Sequence, residues 1–305
     1  MTQIPADSNA QAPFLRHVGI DEAGYGPTLG PLVIAGVAIL GDPKHLAALG
    51  AMDSKKLHKS GDLAPLERVA LPALGWLAGF QPDTAADVFA LFGESAADRA
   101  DLPWLAGADQ LRVPVAAESL PTWSALDLLP AGLSGVIVQP RAYNAALRAG
   151  RNKADLEARH IAAVLGRLAP DGLAADVVVD RLGGRKFYAG LLTEAFSLLP
   201  EVLIESAEIS RYRCGQRTVA FQVGGDAASP CTALASCLAK YVRELHLRLF
   251  NAYWCGRHPW LKPTAGYPED AARWLHQIGS GVVGAYGPDL VRGWTGGTTP
   301  DPHGP

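Results

Sequence analysis

Acidic residues close two short apolar runs of this chain. Asp21 and Glu22 follow the run Val18–Ile20 and precede a Gly-rich turn, and Asp180 follows the run Val177–Val179. In an open α/β sheet, ligands bind beyond the carboxyl ends of the strands. These acids are therefore placed where a functional site is expected.

A fourth acid, Glu244, lies beside the apolar stripe of a predicted helix. Several carboxylates that converge on one point repel each other unless a cation binds between them. Mg²⁺ suits such a cluster because it takes oxygen ligands and keeps several waters. Two such ions, roughly 4 Å apart, can activate a water and stabilise the leaving oxygen in phosphodiester cleavage. The four acids thus predict a divalent-metal site for chemistry at phosphate esters.

The segments around these acids predict the elements that would position them. Leu32–Leu40 is rich in Val, Ile and Leu and predicts a buried strand, paired as a hairpin with the strand before the first acid. Ala233–Phe250 predicts the clearest helix, since an apolar stripe runs along it. Ser236 and Lys240 share a face of that helix with Glu244, so all three are expected at one cleft.

Several of these segments resemble the motifs of the ribonuclease HII family. Residues 19–27 read Gly-Ile-Asp-Glu-Ala-Gly-Tyr-Gly-Pro, close to that family's GIDEAGRGP, and residues 53–57 match its DSKKL. Residues 225–244, from Gly-Asp through Ser-Pro to Arg-Glu, are similar to a family segment of the form GDxxSPxxxAASIxAKVxRD. Lys262–Pro268 resembles its KGYP turn. The motifs occur in the family's order, which makes the resemblance specific.

The resemblance covers about residues 16–75 and 155–294. It implies an α/β protein with a ribonuclease H-like fold, in which a mixed five-stranded sheet is flanked by helices and followed by a C-terminal helical portion. It also implies a two-metal site for Mg²⁺ or Mn²⁺. The catalytic residues and metal ligands that it implies are Asp21, Glu22, Asp180 and Glu244.

Substrate contacts are expected around this metal site. By the resemblance, the turn Gly24-Tyr25-Gly26 would lie against a ribose, whose 2′-hydroxyl lets such a site distinguish RNA from DNA. Lys55 and Lys56 follow Asp-Ser in a loop and are candidates for phosphate contacts, with ordinary surface charge as the alternative. The remaining substrate-binding candidates are Ser236 and Lys240.

Four features depart from the family pattern. Glu244 stands where ribonuclease HII usually has Asp, although the related ribonuclease HIII uses Glu there. Tyr25 replaces the arginine of the GRG turn, and only Val291-Arg292-Gly-Trp294 remains of a terminal segment similar to HRRSF. The stretch between the second and third acids is also longer than usual. Tyrosine cannot form an ion pair with phosphate but can stack on a sugar or base. The departures therefore concern substrate binding more than the metal site.

Ordinary surface roles are the alternatives for two of the acids. Glu244 has Lys240 and Arg248 at i−4 and i+4, the spacing of a helix-surface ion pair. Asp180 could form a surface salt bridge with Arg181 or Arg185, which would contribute little stability. Its position after three valines favours a functional site.

The overall composition predicts a globular protein whose surface is not predominantly basic. The 305 residues are 49% hydrophobic and carry a formal net charge of −3. A nucleic-acid contact must therefore use basic residues gathered on one face. Neither a signal peptide nor an apolar run of about 20 residues, the length of a membrane span, is visible. A cytoplasmic monomer without a membrane partner is expected.

The expected domain organisation is simple. Residues 1–14 are expected to be disordered, 15–294 to form the ribonuclease H-like domain, and 295–305 to be a flexible tail. The proline-punctuated stretch at about 80–130 predicts a peripheral insertion. The four cysteines form no CxxC pair and are expected to be buried free thiols.

The function that these expectations favour is hydrolysis of the RNA strand of an RNA–DNA hybrid, or of DNA with embedded ribonucleotides, to give 5′-phosphomonoesters. A second hypothesis is a nucleic-acid-binding paralogue with weak or no catalysis, which Tyr25 and the reduced terminal segment favour. Sugar kinases and actin-like ATPases also have GID before a glycine turn. They need further Gly-rich phosphate loops, and the Asp-Glu pair does not suit them.

Overall fold

One mixed sheet with helices on both faces forms the body of the protein. The computed structural model describes residues 15–50, 57, 61–123 and 127–296. The strands are β1 (Arg16–Ala23), β2 (Leu32–Gly41), β3 (Leu128–Val138), β4 (Ala175–Asp180), β5 (Glu201–Glu205), β6 (Ile209–Cys214) and β7 (Arg217–Gln222). The described helices are α1 (Lys44–Ala48), α2 (Ala64–Ala78), α3 (Ala85–Leu91), α4 (Ala96–Arg99), α5 (Pro140–Arg148), α6 (Lys153–Leu168), α7 (Ala189–Phe196), α8 (Gly225–Ala228), α9 (Pro230–Arg257), α10 (Pro268–Ile278) and α11 (Ser280–Leu290).

The strand order sets which strand ends meet. The order across the sheet is β3-β2-β1-β4-β7-β6-β5. The predicted hairpin is confirmed, since β1 and β2 pair antiparallel. At the centre, β1 and β4 run parallel with Ile20 opposite Val179. The two strands therefore end at the same edge of the sheet, where their acids follow.

The predicted mixed α/β class is confirmed, but the expected number of five strands is wrong, because the sheet has seven among the described residues. Strands β5 and β6 pair antiparallel at the edge of the sheet. Ser206 makes the turn between them: its hydroxyl donates to the carbonyl of Ile209 and accepts from the N–H of the same residue. A serine side chain that bonds the backbone in this way favours a turn over a continued strand.

Strand β2 is buried on both sides, and this explains its uninterrupted apolar sequence. Val33 and Val37 belong to a core that contains residues of α2, α3 and α9. Ile34 and Ala38 belong to a second core with residues of α6 and α7. Side chains alternate across a strand, so the sheet separates two helical layers.

Helix α9 is fixed at its start on the two central strands. The hydroxyl of Ser229, the N-cap residue, accepts from the N–H of Thr232, and Pro230 occupies the first turn. The Thr232 hydroxyl donates to the carbonyl of Val178 in β4 at 2.9 Å. A Cβ at Gly19 of β1 would lie 2.1 Å from the backbone of Cys231 and Thr232. Glycine at position 19 is thus what lets the helix approach the sheet this closely.

The stretch from 80 to 127 contributes α3, α4 and a short 3₁₀ turn at Pro103–Leu105. Phe89 and Trp104 from this stretch belong to the same core as α9. Its status as an insertion remains a prediction. The remaining elements at the C-terminal end are α10 and α11, a helical portion as expected.

Three smaller expectations have mixed outcomes. All four cysteines are free; Cys214, Cys231 and Cys237 are buried, whereas Cys255 is partly exposed. No helix among the described ranges is long and apolar enough to cross a membrane. The N-terminal residues 1–14 and most of the expected flexible tail lie outside the described residues.

Gly19→Ala is expected to lower the free energy of unfolding by about 3 kcal/mol, because the added methyl group meets backbone atoms that no side-chain rotation can move. Urea unfolding of the two proteins measures the difference. Gly190→Ala in α7 is the control: nothing lies within 4 Å of a Cβ there, and alanine should stabilise the helix by up to about 1 kcal/mol. Equal stability of Gly19→Ala and wild type would contradict the close helix–strand contact.

Candidate active site

Three carboxylates meet at the edge where β1 and β4 end. One oxygen each of Asp21, Glu22 and Asp180 lies within 4.8 Å of the others. The parallel register of Ile20 with Val179 makes the acids that follow neighbours across the sheet. The three strand-end acids singled out from the sequence are thus brought together.

Backbone and hydroxyl donors hold two of these acids in place. The Asp21 side chain, 5% exposed, accepts from the N–H of Glu22 at 2.7 Å and from the hydroxyl of Ser236. The Asp180 side chain accepts from the N–H of Gly225 at 2.7 Å. A Cβ at Gly225 would lie 3.0 Å from the Asp180 Cα. Glycine at this position of the Gly-Asp motif therefore lets the backbone donor reach the acid.

The cluster is electrostatically strained without a counter-charge. Burial raises the pKa of Asp21, and the neighbouring charges of Glu22 and Asp180 raise it further. Burial, together with the charges of Glu157 and Asp180, raises the pKa of Glu22 to about 8. One carboxylate oxygen of Glu22, Oε2, is buried with no hydrogen-bond partner. A carboxylate oxygen without a hydrogen-bond partner is a suitable ligand for a hard divalent cation.

An open cavity of about 210 Å³ lies over the cluster. It is lined by Asp21, Glu22, Ala23, Gly24, Asp180, Asp226, Ser236, Lys240, Arg243, Glu244 and Tyr267. The three residues expected on one face of α9 all reach this cavity. Glu244 stands apart from the three-acid group and forms an ion pair with Arg243 at 3.9 Å.

Other residues expected at the site lie beside the cavity or beyond the described chain. Tyr25 is half-buried next to the cavity, and Gly26 is exposed. Gly24 has φ +91°, and a Cβ there would lie 2.6 Å from the carbonyl oxygen of Pro31, so the turn requires glycine at this position. Lys55 and Lys56 lie outside the described residues.

The arginines that follow Asp180 are engaged on the loop after β4. Arg181 is buried, and its guanidinium donates to the carbonyls of Arg185, Ser206 and Ala207. Arg185 donates to the carboxylate of Asp155 at 2.9 Å. The guanidinium of Arg181 is thus bound by backbone carbonyls, and that of Arg185 by a carboxylate of α6.

The sequence pattern gave no role to Glu157, a buried acid of α6. It is 1% exposed, and neither of its carboxylate oxygens has a hydrogen-bond partner. Burial raises the pKa of Glu157 to about 7, against the opposing effect of Lys153 and Arg185. The sequence nevertheless contains an indication of this burial. Position 157 is four residues before Ile161, so this acid falls on the apolar face of the predicted helix.

Tyr267, in the segment that resembles the KGYP turn, faces the site. Its side chain is 56% exposed and lines the cavity. Gly266, with φ +80°, has no room for a Cβ, which would lie 2.5 Å from the carbonyl oxygen of Leu29. The tight approach of this glycine turns the tyrosine outward to the site.

Two buried arginines tie together the backbone behind the site. Arg243 donates to the carbonyl of Ala265 at 3.0 Å and to that of Leu29 at 3.4 Å. Arg292 donates to the carbonyl of Gly24. Burial, with the nearby charge of Arg243, lowers the pKa of Arg292 to about 9. Hydrogen bonds from these two arginines therefore connect the turn at Gly24-Tyr25-Gly26 and the residues after it with the loop before α10 and with the C-terminal segment.

The sequence around the first two acids is shared with known proteins. Residues 18–64 match the model of the family described as Ribonuclease HII. Ribonuclease HII of Hyperthermus butylicus is 56% identical over 41 residues, 13% of this chain and 17% of that relative. Ribonuclease HII of Pelotomaculum thermopropionicum is 44% identical over 71 residues, 23% and 26% of the two chains. The matched stretches thus span about a quarter or less of these relatives.

The likeness of fold extends much further along the chain. A chain in the solved structure of the PCNA:RNase HII complex from Archaeoglobus fulgidus matches with a TM-score of 0.51 and 20% identity. The match covers 92% of this chain and 94% of that one. At this identity the likeness shows the fold, which is ribonuclease H-like. The sequence match to the Ribonuclease HII model, which includes the strand that bears the first two acids, lies within this shared fold.

Proposed function

We propose that the protein is a divalent-metal-dependent endoribonuclease that hydrolyses the RNA strand of RNA–DNA hybrids, in the manner of ribonuclease HII. The observation that carries the proposal is the group of three carboxylates within 4.8 Å at the strand ends. The names of the relatives that share this segment support it. DNA with embedded ribonucleotides is the second substrate of the proposal, and 5′-phosphomonoesters are its products. A cytoplasmic monomer stays the expectation.

Mg²⁺ or Mn²⁺ would be held by Asp21, Glu22, Asp180 and Glu244. When bound, two such ions stabilise the charge on the attacking and leaving oxygens of the phosphodiester. The chain itself orients the ligands: donors from Glu22 and Ser236 fix the Asp21 carboxylate, and Gly225 fixes that of Asp180. The unpartnered oxygen of Glu22 stays available for a cation.

Residues around the acids would bind the substrate strand. Lys240 reaches the cavity from α9 and can contact phosphate oxygens. Ser236 lines the cavity beside it, with its hydroxyl donated to Asp21. The exposed ring of Tyr267 offers an aromatic surface for a sugar or base. The backbone of Gly24 lines the cavity. Because its turn is fixed by buried arginines, its polar groups are placed to recognise a 2′-hydroxyl.

A binding paralogue without catalysis is not favoured. In such a protein, holding three mutually repelling carboxylates together would serve no purpose, since the raised pKa values of Asp21 and Glu22 lower the stability of the folded state at neutral pH. Replacement of one acid by a neutral residue would relieve that repulsion. The intact cluster therefore favours a catalytic role over simple nucleic-acid binding.

Asp21→Asn and Asp180→Asn are each expected to reduce cleavage of an RNA–DNA hybrid at least roughly a thousandfold, because bound metal contributes several kcal/mol to transition-state stabilisation. The measurement is single-turnover cleavage of labelled duplexes with zero, one or four ribonucleotides. Asp176→Asn, at an exposed position near the start of the same strand β4, is the matched control and should cleave normally. Normal turnover by folded Asp21→Asn protein would refute the proposed metal site.

The metal-free protein is expected to lose stability as the pH rises. The pKa values of Glu22, about 8, and Glu157, about 7, both lie above the ordinary 4.5, so the folded state binds these protons more tightly than the unfolded chain. Their contribution is therefore complete below about pH 4.5 and is lost as the pH rises towards about 8. Divalent metal should replace the protons, so its stabilising effect should be larger at about pH 8 than at about pH 5. Thermal melts with EDTA or with Mn²⁺ measure both effects; an equal metal effect at the two pH values would count against the model.

Glu244→Gln tests the fourth ligand. Metal at about 100 times its Kd adds about 2.7 kcal/mol to the free energy of unfolding, and a tenfold weaker Kd removes about 1.4 kcal/mol of this. The rise in melting temperature on addition of Mn²⁺ should therefore shrink in the variant. Glu208→Gln, at an exposed turn, should keep the full rise. If Glu244 serves only as a partner of nearby basic side chains, its variant will respond to metal like wild type.

A further inference from the structure

A lysine from another element stands over the ring of Tyr25. The ammonium nitrogen of Lys153 lies 3.6 Å from the centre of the ring, a cation–π distance. Lys153 is the first residue of α6, and the start of that helix is fixed because the side chain of Asn152 accepts from the N–H of Asp155 at 2.8 Å. The ammonium group is thereby placed next to the Gly24-Tyr25-Gly26 turn.

Within the described part of the chain, the N–H donors of this lysine are not used. Among the residues that the structure describes, the Lys153 ammonium makes no hydrogen bond and no ion pair; the ring of Tyr25 is its contact. Lys153 is half-buried, so its side chain has lost part of its contact with water. An anion that approaches the turn would meet three N–H donors already in position.

Further positive charge gathers at the same turn. Arg292 is 8% exposed and donates to the carbonyl of Gly24, while its Nε and Nη2 have no hydrogen-bond partner. Arg185, on the loop after β4, approaches Tyr25 closely enough to act against the rise of its pKa, which burial and the acids Glu157 and Glu22 cause. Burial and the charge of Arg292 also lower the pKa of Lys153, against the opposing effect of Glu157 and Glu22. Like charges brought together in this way favour a bound anion.

The position of this group relative to the acids identifies the anion. Gly24 lines the cavity of the carboxylates, and the hydroxyl of Tyr25 points to Gly183 in the loop that follows Asp180. A cationic group beside a cluster that would cut a phosphodiester is placed for a neighbouring phosphate of the same polymer.

We propose that Lys153, held over Tyr25, binds a backbone phosphate of the nucleic-acid strand beside the acid cluster. The proposal rests on the function proposed above and extends it to a specific contact. The charge that position 25 lacks is thus supplied by α6, and the tyrosine ring holds the lysine in place.

The test is the salt dependence of duplex binding. The Asp21→Asn protein, which is expected not to cleave, is titrated with a fluorescent RNA–DNA hybrid at several salt concentrations. In this background Lys153→Gln should weaken binding roughly eightfold at 0.1 M salt and flatten the plot of log Kobs against log[salt] by about 1, the effect of one lost phosphate contact. Lys44→Gln, an exposed lysine of α1, is the matched control and should change neither quantity. Lys153→Arg should retain both.

The ring is tested with two substitutions at position 25. Tyr25→Phe keeps the aromatic face and should bind like the parent, whereas Tyr25→Leu should lose part of the salt slope that Lys153 contributes. An unchanged slope in Lys153→Gln, with tight hybrid binding by the parent, overturns the phosphate contact but leaves the proposed function standing. Failure of the parent to bind any hybrid at low salt overturns both. Displacement of the hybrid by inorganic phosphate beyond the effect of matched chloride, lost in Lys153→Gln, would assign the contact to free phosphate and overturn the nucleic-acid assignment.

Discussion

Mutual repulsion among Asp21, Glu22 and Asp180 is the interaction on which the rest of this structure depends. One oxygen of each lies within 4.8 Å of the others, in a setting where burial already disfavours the charged form. The register of β1 against β4 makes the approach unavoidable. The fold must therefore supply enough apolar packing elsewhere to hold these groups together without a cation.

That packing comes from both faces of the sheet. The first core joins β2 to α2, α3 and α9, and the second joins it to α6 and α7. Both helices that carry polar groups to the site belong to these cores: α9 carries Ser236 and Glu244, and α6 carries Glu157. Because each helix is anchored along its apolar face, its polar residues cannot withdraw from the acids. Rigid anchoring of this kind is what a preorganised site requires.

The local patterns of the sequence were sufficient for the central part of this arrangement. Asp21 and Asp180 could be placed because each ends an apolar run, and α9 because its stripe is long and regular. The contacts that link distant segments could not be found in this way. Lys153 meets Tyr25 only through tertiary packing, and Tyr267 faces the cavity because of a close backbone contact at Gly266. Glu157 gave a local signal, an acid on an apolar helix face, but its burial beside Glu22 depends on how α6 crosses the sheet.

Strand β5 at the edge of the sheet bears on how the protein behaves at high concentration. All five of its residues are exposed, including Val202, Leu203 and Ile204, and an open apolar edge is a template for pairing with another chain. The strand, however, begins with Glu201 and ends with Glu205. Antiparallel pairing of two copies about Leu203 would set Glu201 of one copy opposite Glu205 of the other, and like charges directly opposite destabilise a strand pair. The two glutamates thus disfavour antiparallel pairing of two copies in this register.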